Sequence, residues 1–462
     1  METRGVPTST IVTTAFLNHA RLAAKHLRLD RLPLVVTPHP LNDLTPEQLR
    51  ELARAAYPLI VEQLTGQGAL AQNAHVDYIH PGERNRQRRT EAASSTDTPV
   101  SYSQLEAPIL EIEDSWKAVN DWFLKHDLTD GLPIVPPTEA DVQAMTDYAE
   151  RTLGWRSSDA LGTLAPKGGL ATVEKIAANA VMAGCKPEYM PVLIACVQAI
   201  ADPKFNLDAV QTSTHNTSPL PIVNGPVRNA IDLNWGYNYT GSRWQSTSTI
   251  GRALRLIMAN VGGTPGSINI HTQGHIARYE NCIAENEEEN PWEPLHVERG
   301  YPPEVSTVTV IPACPAAMID ERGDCQTAKD LLKTLAHSIA YVGNRNINGD
   351  GQPLLILCPQ HARILGNDGF SKTEVKRFIW EQARVRFGDI PRRNLAGFSE
   401  KKLKFYSDFG PDYGIPIADK PEDIVVVVMG GKGTHSLSVQ TQLACRNVTV
   451  PITRKDGSPW LV

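Results

Sequence analysis

Residues 162–200, GTLAPKGGLATVEKIAANAVMAGCKPEYMPVLIACVQAI, decide the fold class of most of this chain. Pro166, Lys167, Gly168 and Gly169 make a glycine-rich turn that reads as running straight into a helix. Val173, Ile176, Ala177, Ala180 and Val181 recur at i, i+3, i+4, i+7 and i+8, the spacing of one buried helix face. Gly184 stands where a glycine ends a helix, and Pro187 where a proline opens the next. That second helix is apolar nearly all round (Tyr189, Met190, Val192, Leu193, Ile194, Cys196, Val197, Ile200), which places it at the centre of a core. A glycine turn at a helix start gathers free backbone N–H groups at the positive end of the dipole. With Lys167, Gly168 and Gly169 there, the expectation is a seat for the anionic end of a small-molecule substrate; a plain tight turn accounts for the same letters. Cys185, between the two helices, is a candidate thiol, set against the ordinary reading of a small buried hydrophobe.

Downstream, polar turns alternate with apolar segments. An apolar strand, Leu220 to Val223, lies between a hydroxyl-rich turn holding His215 and the turn Asn224-Gly225-Pro226. An aromatic, glycine-rich stretch from Asn234 leads into a helix from about Ser248. Polar loops on a rigid scaffold are where ligand pockets concentrate, so His215 and Asn224 are candidate site residues, with a surface loop as the alternative. His271 and His275 stand four apart, and with Glu280 they form the alternative reading of a divalent-metal site, although Gly266 and Gly274 make that stretch a poor helix. Glu285 and His296 are candidate proton carriers. Thr307 to Ile311 reads as a strand ending at Pro312-Ala313-Cys314-Pro315, and Pro353 to Cys358 as one ending at Pro359-Gln360-His361. Ser371 with Glu374 makes a capping box. Ile424 to Met429 is the last strong strand and runs into Gly430-Gly431-Lys432-Gly433-Thr434-His435-Ser436. A strand followed by a glycine-rich turn is where open α/β sheets put ligands. Its N–H groups, Lys432, His435 and Ser436 are expected to face one anionic group. The spacing is not that of a phosphate-binding P-loop, so no nucleotide is implied. If these strands run parallel in one sheet, the turns at Cys314, His361 and Gly430 to Ser436 converge on one edge.

Upstream, Thr8 to Thr13 and Leu32 to Thr37 read as strands, Ala15 to Leu27 as a helix, and Thr45-Pro46-Glu47-Gln48 as a capping box opening a helix to about Leu64. Strand–helix–strand–helix at this spacing predicts a small parallel sheet over residues 1–66, too short for a complete doubly wound domain. Residues 67–109 are polar, with a basic cluster at Arg84 to Arg89, and read as a linker or strap. Residues 110–462 are read as one large mixed α/β domain, starting with a Trp-rich helix from Asp114 to His126. The 462 residues are 41% hydrophobic and 21% charged, with a formal charge of -6, which gives no footprint for nucleic acid. No apolar run approaches a membrane span, and seven dispersed cysteines without a CxxC pair point to reduced thiols in the cytoplasm.

Met1-Glu2-Thr3-Arg4-Gly5-Val6-Pro7-Thr8, together with Leu32-Pro33-Leu34-Val35-Val36-Thr37-Pro38-His39-Pro40-Leu41, resembles the second half of the UGSC-motif domain. That family is named for a selenocysteine- or cysteine-Gly-Ser-Cys motif and is distantly similar to the selenoprotein B component of glycine and betaine reductases. The rest of the chain is similar to large bacterial proteins of unassigned activity found with UGSC segments. The resemblance implies thiol or selenol chemistry, with the Cys motif supplied by a small partner subunit or by a segment preceding Met1. The expected function is the large subunit of a thiol- or selenol-dependent enzyme acting on a carbon–heteroatom bond of a small polar substrate. His215, His271, His361 or His435 would move protons, and Lys167 to Gly169 or Gly430 to Ser436 would hold the substrate's anionic end. The alternatives are a metal-dependent lyase or hydrolase centred on His271 and His275, and a binding or scaffold subunit without chemistry of its own.

Overall fold

The computed structural model describes residues 7–26, 28–29, 31–38, 41, 44–65, 73–78, 109–241, 243–264, 271, 273, 281–321, 327–348 and 351–462. The chain divides into two units, Met1–Ser101 and Tyr102–Val462.

In the first unit, β1 (Thr10–Thr13), β2 (Leu34–Thr37) and β3 (Asn73–His75) form a parallel sheet in the order β1-β2-β3. Helices Leu17–His26 and Pro46–Thr65 make the connections, as the sequence spacing predicts. Thr45 and Gln48 cap the second helix reciprocally: the Gln48 N–H donates to Thr45 Oγ1 at 3.3 Å and the Thr45 N–H to Gln48 Oε1 at 2.8 Å. Val35, Leu44, Leu52, Ala56 and Val76 form the core. Gln63, buried on this helix, donates from Nε2 to the Leu34 carbonyl at 3.1 Å and so ties helix to sheet. The third strand corrects the reading of residues 67–109 as a strap throughout. Its three residues, Asn-Ala-His, carry no β-branched or alternating signal, and pairing with β2 makes them a strand.

The second unit is built on a seven-stranded mixed sheet. It contains β6 (Ser218–Asn224), β7 (Ile283–Ala284), β8 (Thr307–Asp320), β9 (Leu354–Leu357), β12 (Val425–Val428), β13 (His435–Thr441) and β14 (Val448–Pro451). The order is β12-β9-β13-β8-β6-β7, with β14 also paired to β8. Two antiparallel ribbons stand apart, β4 (Ala160–Leu164) with β5 (Gly169–Thr172) and β10 (Arg384–Arg386) with β11 (Gly414–Pro416). The long β8 organises the sheet: β6 pairs with its first half, from Thr307 to Ala313, and β13 with its second half, from Ala313 to Asp320. The sheet therefore curls. Its two ends meet where the Asn286 N–H, just beyond β7, donates to the Val428 carbonyl of β12 at 2.8 Å.

Strand alternation sorts the apolar side chains into three clusters. Ile222, Ile283, Ile311, Leu354, Ile356, Val425, Val427 and Val439 pack inside the curl. Val223, Val308, Val310 and Val448 face outward against helices Glu139–Leu153, Val173–Ala183, Met190–Ala201 and Gln245–Asn260. Leu355, Leu357, Val426 and Val428 face outward against helices Ala328–Ile339, Pro359–Asn367 and Lys372–Gln382. Met190–Ala201 is buried almost all round, as its composition predicts. A left-handed Gly184 caps Val173–Ala183, and Pro187 opens a 3-10 turn before Met190. The Ser371–Glu374 capping box is formed.

Two expectations about strands are corrected. Pro312 and Pro315 do not end the strand begun at Thr307: it runs on to Asp320. A register shift between Val439 and Thr441 of β13 admits an extra residue on β8, and Pro315 falls in that bulge, where no ladder N–H is needed. In addition, the strands are not all parallel. β8 is antiparallel to β6 and β13, so Cys314 lies in mid-strand and does not share an edge with His361 and Gly430 to Ser436.

Candidate active site

β9 ends at Leu357, and Cys358 is the N-cap of the helix Pro359–Asn367, with Pro359 at its first position. β13 runs antiparallel to β9, with Leu437 opposite Ile356, so Ser436 arrives beside Cys358. The Cys358 N–H donates to Ser436 Oγ at 3.2 Å. Ser436 Oγ lies 2.8 Å from His361 Nδ1, one turn along the helix, and 4.0 Å from Cys358 Sγ. The thiol donates to the Gly433 carbonyl at 2.9 Å. His361 and Ser436 are each 1% exposed, and His361 Nε2 has no partner among the described residues. Thiol, hydroxyl and imidazole thus lie in one buried row at a helix N-terminus.

The electrostatics of this row oppose one another. Burial pushes the Cys358 thiol up, while the N–H groups of His361, Gln360 and His435 and the Ser436 hydroxyl, all turned toward sulfur, draw it down; burial prevails. Burial also holds the His361 imidazole below its usual value, helped by His435 and opposed by Glu321. The resting pair is therefore a thiol and a neutral imidazole, with Ser436 as the bridge over which a proton can pass. Three backbone N–H groups already point to where a thiolate charge would form, and the Ser436 hydroxyl stands 4.0 Å from it.

The other predicted residues sort by position. Gly430 has a φ of +90, donates its N–H to the Trp235 carbonyl at 2.8 Å and accepts from Asn286 Nδ2 at 3.2 Å. Its neighbour Gly431 lies against the ring of Tyr237, where a Cβ would come within about 2 Å of ring carbons. Lys432, His435 and Ser436 do not face one group as expected. Lys432 is 62% exposed and stands 3.9 Å from Glu289, His435 Nδ1 is 3.3 Å from Asp320, and Ser436 turns inward to His361. Alternation turns His435 outward and Ser436 inward, while Lys432 lies in the loop before β13.

Asn224 and Glu285 are brought together in a separate buried network. Glu285 Oε2 accepts from Asn224 Nδ2 at 2.6 Å and from the Leu295 N–H at 2.8 Å, while Oε1 accepts from Asn290 at 2.9 Å. Burial pushes its carboxyl above the usual range, against the pull of Lys372. Arg228 forks onto Glu288 at 3.0 and 3.1 Å, and His296 Nδ1 lies 3.9 Å from Glu287. Glu287 and Glu288 are therefore both partnered by Arg228. With every Glu285 oxygen engaged, this network pins the β7 crossing and the turn at Leu295.

Lys167 and Gly168 lie in the hairpin turn between β4 and β5 and Gly169 opens β5, not the helix start expected from sequence. The helix begins at Val173 with Thr172 as its cap. The Lys167 N–H donates to the Gly262 carbonyl at 3.0 Å and its side chain packs on Gly263. Cys185 follows a helix C-terminus, the negative end of the dipole, and burial pushes its thiol up to about 12. His215 lies before β6, held down by burial and by the Arg345 charge. His271 Nε2 is 3.3 Å from the Val210 carbonyl. His275 and Glu280 lie outside the described residues. Among the described residues, no group of three or more His, Cys, Asp or Glu could hold a metal ion, and no helix is long and apolar enough to cross a membrane.

Sequence reasoning missed Cys358. The signal was present: a cysteine closing an apolar strand and immediately preceding Pro359 sits at a helix N-cap, where a thiolate is favoured.

Residues 1–66, at the N-terminal end of the chain, match the sequence model of the UGSC family. No curated protein and no solved structure matches the chain.

Proposed function

We propose that the protein is the large subunit of a thiol-dependent enzyme in which Cys358 attacks an electrophilic carbon of a small polar substrate. The observation that carries this reading is the row Cys358–Ser436–His361, in which Ser436 Oγ is 2.8 Å from His361 Nδ1 and the sulfur is ringed by backbone N–H groups. In the step so drawn, the thiol turns from the Gly433 carbonyl toward Ser436 Oγ, and its proton moves to Ser436 as the Ser436 proton moves to His361 Nδ1. The sulfur lone pair forms a carbon–sulfur bond, and the bond from that carbon to its heteroatom breaks. The leaving heteroatom takes the proton back from His361 along the same path. A second nucleophile, water or a partner's thiol, then displaces Cys358. The UGSC match over residues 1–66 supports thiol chemistry in the assembly. We further infer that this segment is the second half of such a domain, completed by a small subunit or preceding segment that carries the Cys-Gly-Ser-Cys-like motif.

The test is site-resolved alkylation of the purified protein with iodoacetamide, followed by peptide mass spectrometry. Cys358 is expected to react ahead of core thiols such as Cys196, and more slowly in His361→Gln. Alkylation of Cys358 no faster than Cys196, in protein that remains folded, would rule out the nucleophile. Pull-down of the tagged chain from its native host tests the partner: a stoichiometric small protein with the Cys motif is expected, and a chain recovered alone argues against a separate subunit.

A further inference from the structure

Beside the ribbon of β10 and β11 lies a groove that shares no residue with the thiol row. Its cavity of about 310 Å³ is open to solvent, and Phe387, Ile390, Leu395 and Pro411 give it apolar walls. One wall is the chain leaving β10, through the 3-10 turns Phe387–Asp389 and Arg392–Gly397. The other is the end of the helix Glu400–Phe409 and the turn Gly410-Pro411 that leads back to β11. Backbone hydrogen bonds fix the walls to each other. The Phe387 N–H donates to the Tyr413 carbonyl at 2.8 Å and the Gly388 N–H to the Pro411 carbonyl at 2.9 Å. Gly388 fits so closely that a Cβ there would come within 2.9 Å of Pro411 Cβ. Arg386 bridges the two sides, 3.4 Å from Asp389 and paired also with Asp412. The groove thus exists before a ligand arrives, which lowers the ordering cost of binding.

Two polar residues line the groove with these apolar ones, Arg392 and Ser407. Both are exposed, and neither side chain has a partner among the described residues. The other arginines of the ribbon are engaged: Arg384 donates to the Glu381 and Gly414 carbonyls, and Arg386 holds Asp389 and Asp412. Those two aspartates are therefore already taken. From Arg384 to Asp412, seven cationic residues stand against four acidic ones, in a chain whose formal charge is -6. The local charge excess and the unpaired guanidinium select an anion, and the planar guanidinium fork matches a carboxylate. The apolar walls select a hydrocarbon body attached to it. We propose that this groove binds a small amphipathic carboxylate. Its hydrocarbon part would lie against Phe387, Ile390, Leu395 and Pro411, and its carboxylate at Arg392, with the Ser407 hydroxyl as a second donor. The site does not depend on the thiol chemistry of Cys358.

The test is calorimetric titration of the full chain at pH 7 with sodium 4-phenylbutyrate and, separately, sodium octanoate. The uncharged 4-phenylbutan-1-ol is the control. A dissociation constant of about 1 mM or tighter is expected for at least one acid. Tighter binding of phenylbutyrate would name an aromatic acid as the ligand type, and tighter binding of octanoate an aliphatic one. The alcohol is expected to bind at least about fivefold more weakly than phenylbutyrate, having no charge for Arg392 to meet. Arg392→Gln should weaken both acids at least about fivefold and leave the alcohol unchanged. Ser407→Trp, at an exposed helix position, should fill the groove and weaken all three ligands at least about tenfold. No binding of either acid up to about 10 mM, or equal affinity for phenylbutyrate and the alcohol, overturns the proposal. So does an acid affinity unchanged in folded Arg392→Gln or Ser407→Trp protein. Cys358→Ala is expected to bind the acids as the parent does, and a loss there would count against a separate site.

Discussion

Ser436→Ala tests the thiol row most directly. The hydroxyl accepts from the Cys358 N–H at 3.2 Å, meets His361 Nδ1 at 2.8 Å and reaches toward Cys358 Sγ at 4.0 Å. Truncation leaves a buried N–H and a buried imidazole nitrogen unpaired, each at about 1–3 kcal/mol, so the variant should lose about 2–6 kcal/mol of stability in urea. The chemical effect is separate. A hydrogen bond to a charged acceptor is worth about 1.5–3 kcal/mol, so losing it should raise the thiol pKa by about 1–2. The assay is the pH dependence of Cys358 alkylation by iodoacetamide, read on the Cys358 peptide. In the parent, the midpoint should lie above the ordinary cysteine value of 9.0, because burial outweighs the donors. In Ser436→Ala it should move higher still, and at pH 8 the rate should fall about tenfold to a hundredfold. Ser436→Thr should restore most of it. A folded Ser436→Ala protein with an unchanged midpoint would refute the argument that the hydroxyl stabilises the thiolate.

Other expectations follow from the geometry. Gly225→Ala places a Cβ 2.7 Å from Ser306 Cα at a φ of +85, and should cost about 1–2 kcal/mol in urea unfolding through left-handed strain, with the backbone clash adding to it. Glu298→Gln leaves the buried Lys372 and Lys376 without their carboxylate and should cost about 3 kcal/mol at neutral pH. Glu298 is held below its ordinary value of 4.5 by those two lysines, against the opposing effect of burial. Its contribution is therefore present above pH 4.5 and lost as pH falls through the lower folded value, so the parent and Glu298→Gln stabilities should converge in acid. Cys185, its thiol pushed up to about 12, should stay unlabelled at pH 8 over the time in which Cys358 reacts, which the same peptide map reports.

The residues 162–200 announced their helices because a 3.6-residue stripe and a glycine–proline punctuation act locally, and both signals survive in the structure. The same reading placed the Lys167 turn at a helix start, because β5 is a strand of Gly-Leu-Ala-Thr with no β-branched run to reveal it. Pro312 and Pro315 looked like a strand end for the reason that usually holds, a missing ladder N–H; the bulge opposite Val439 that absorbs Pro315 is a property of two strands, not of one. His361 and Ser436 were legible as polar groups after apolar strands. Their meeting was not, because it depends on β13 returning antiparallel beside β9 across 75 positions. His435 and Ser436 came apart through strand alternation, and Lys432 lies in the loop before β13, a boundary that a glycine-rich turn conceals in the sequence.

The join between the two ends of the curled sheet also governs how the protein is made. Asn286 and Gly430, bonded to each other across it, stand 144 positions apart. Contacts so remote in sequence carry the loop-closure entropy of everything between them, so this seam is assembled late, after the helical layers around Met190–Ala201 can already have condensed. Until then Val425–Val428, four consecutive valines without charge or proline, presents one unpaired backbone side to its surroundings. A nascent or partly denatured chain thus carries its stickiest strand at its last-sealed border, and recovery on refolding should depend steeply on protein concentration.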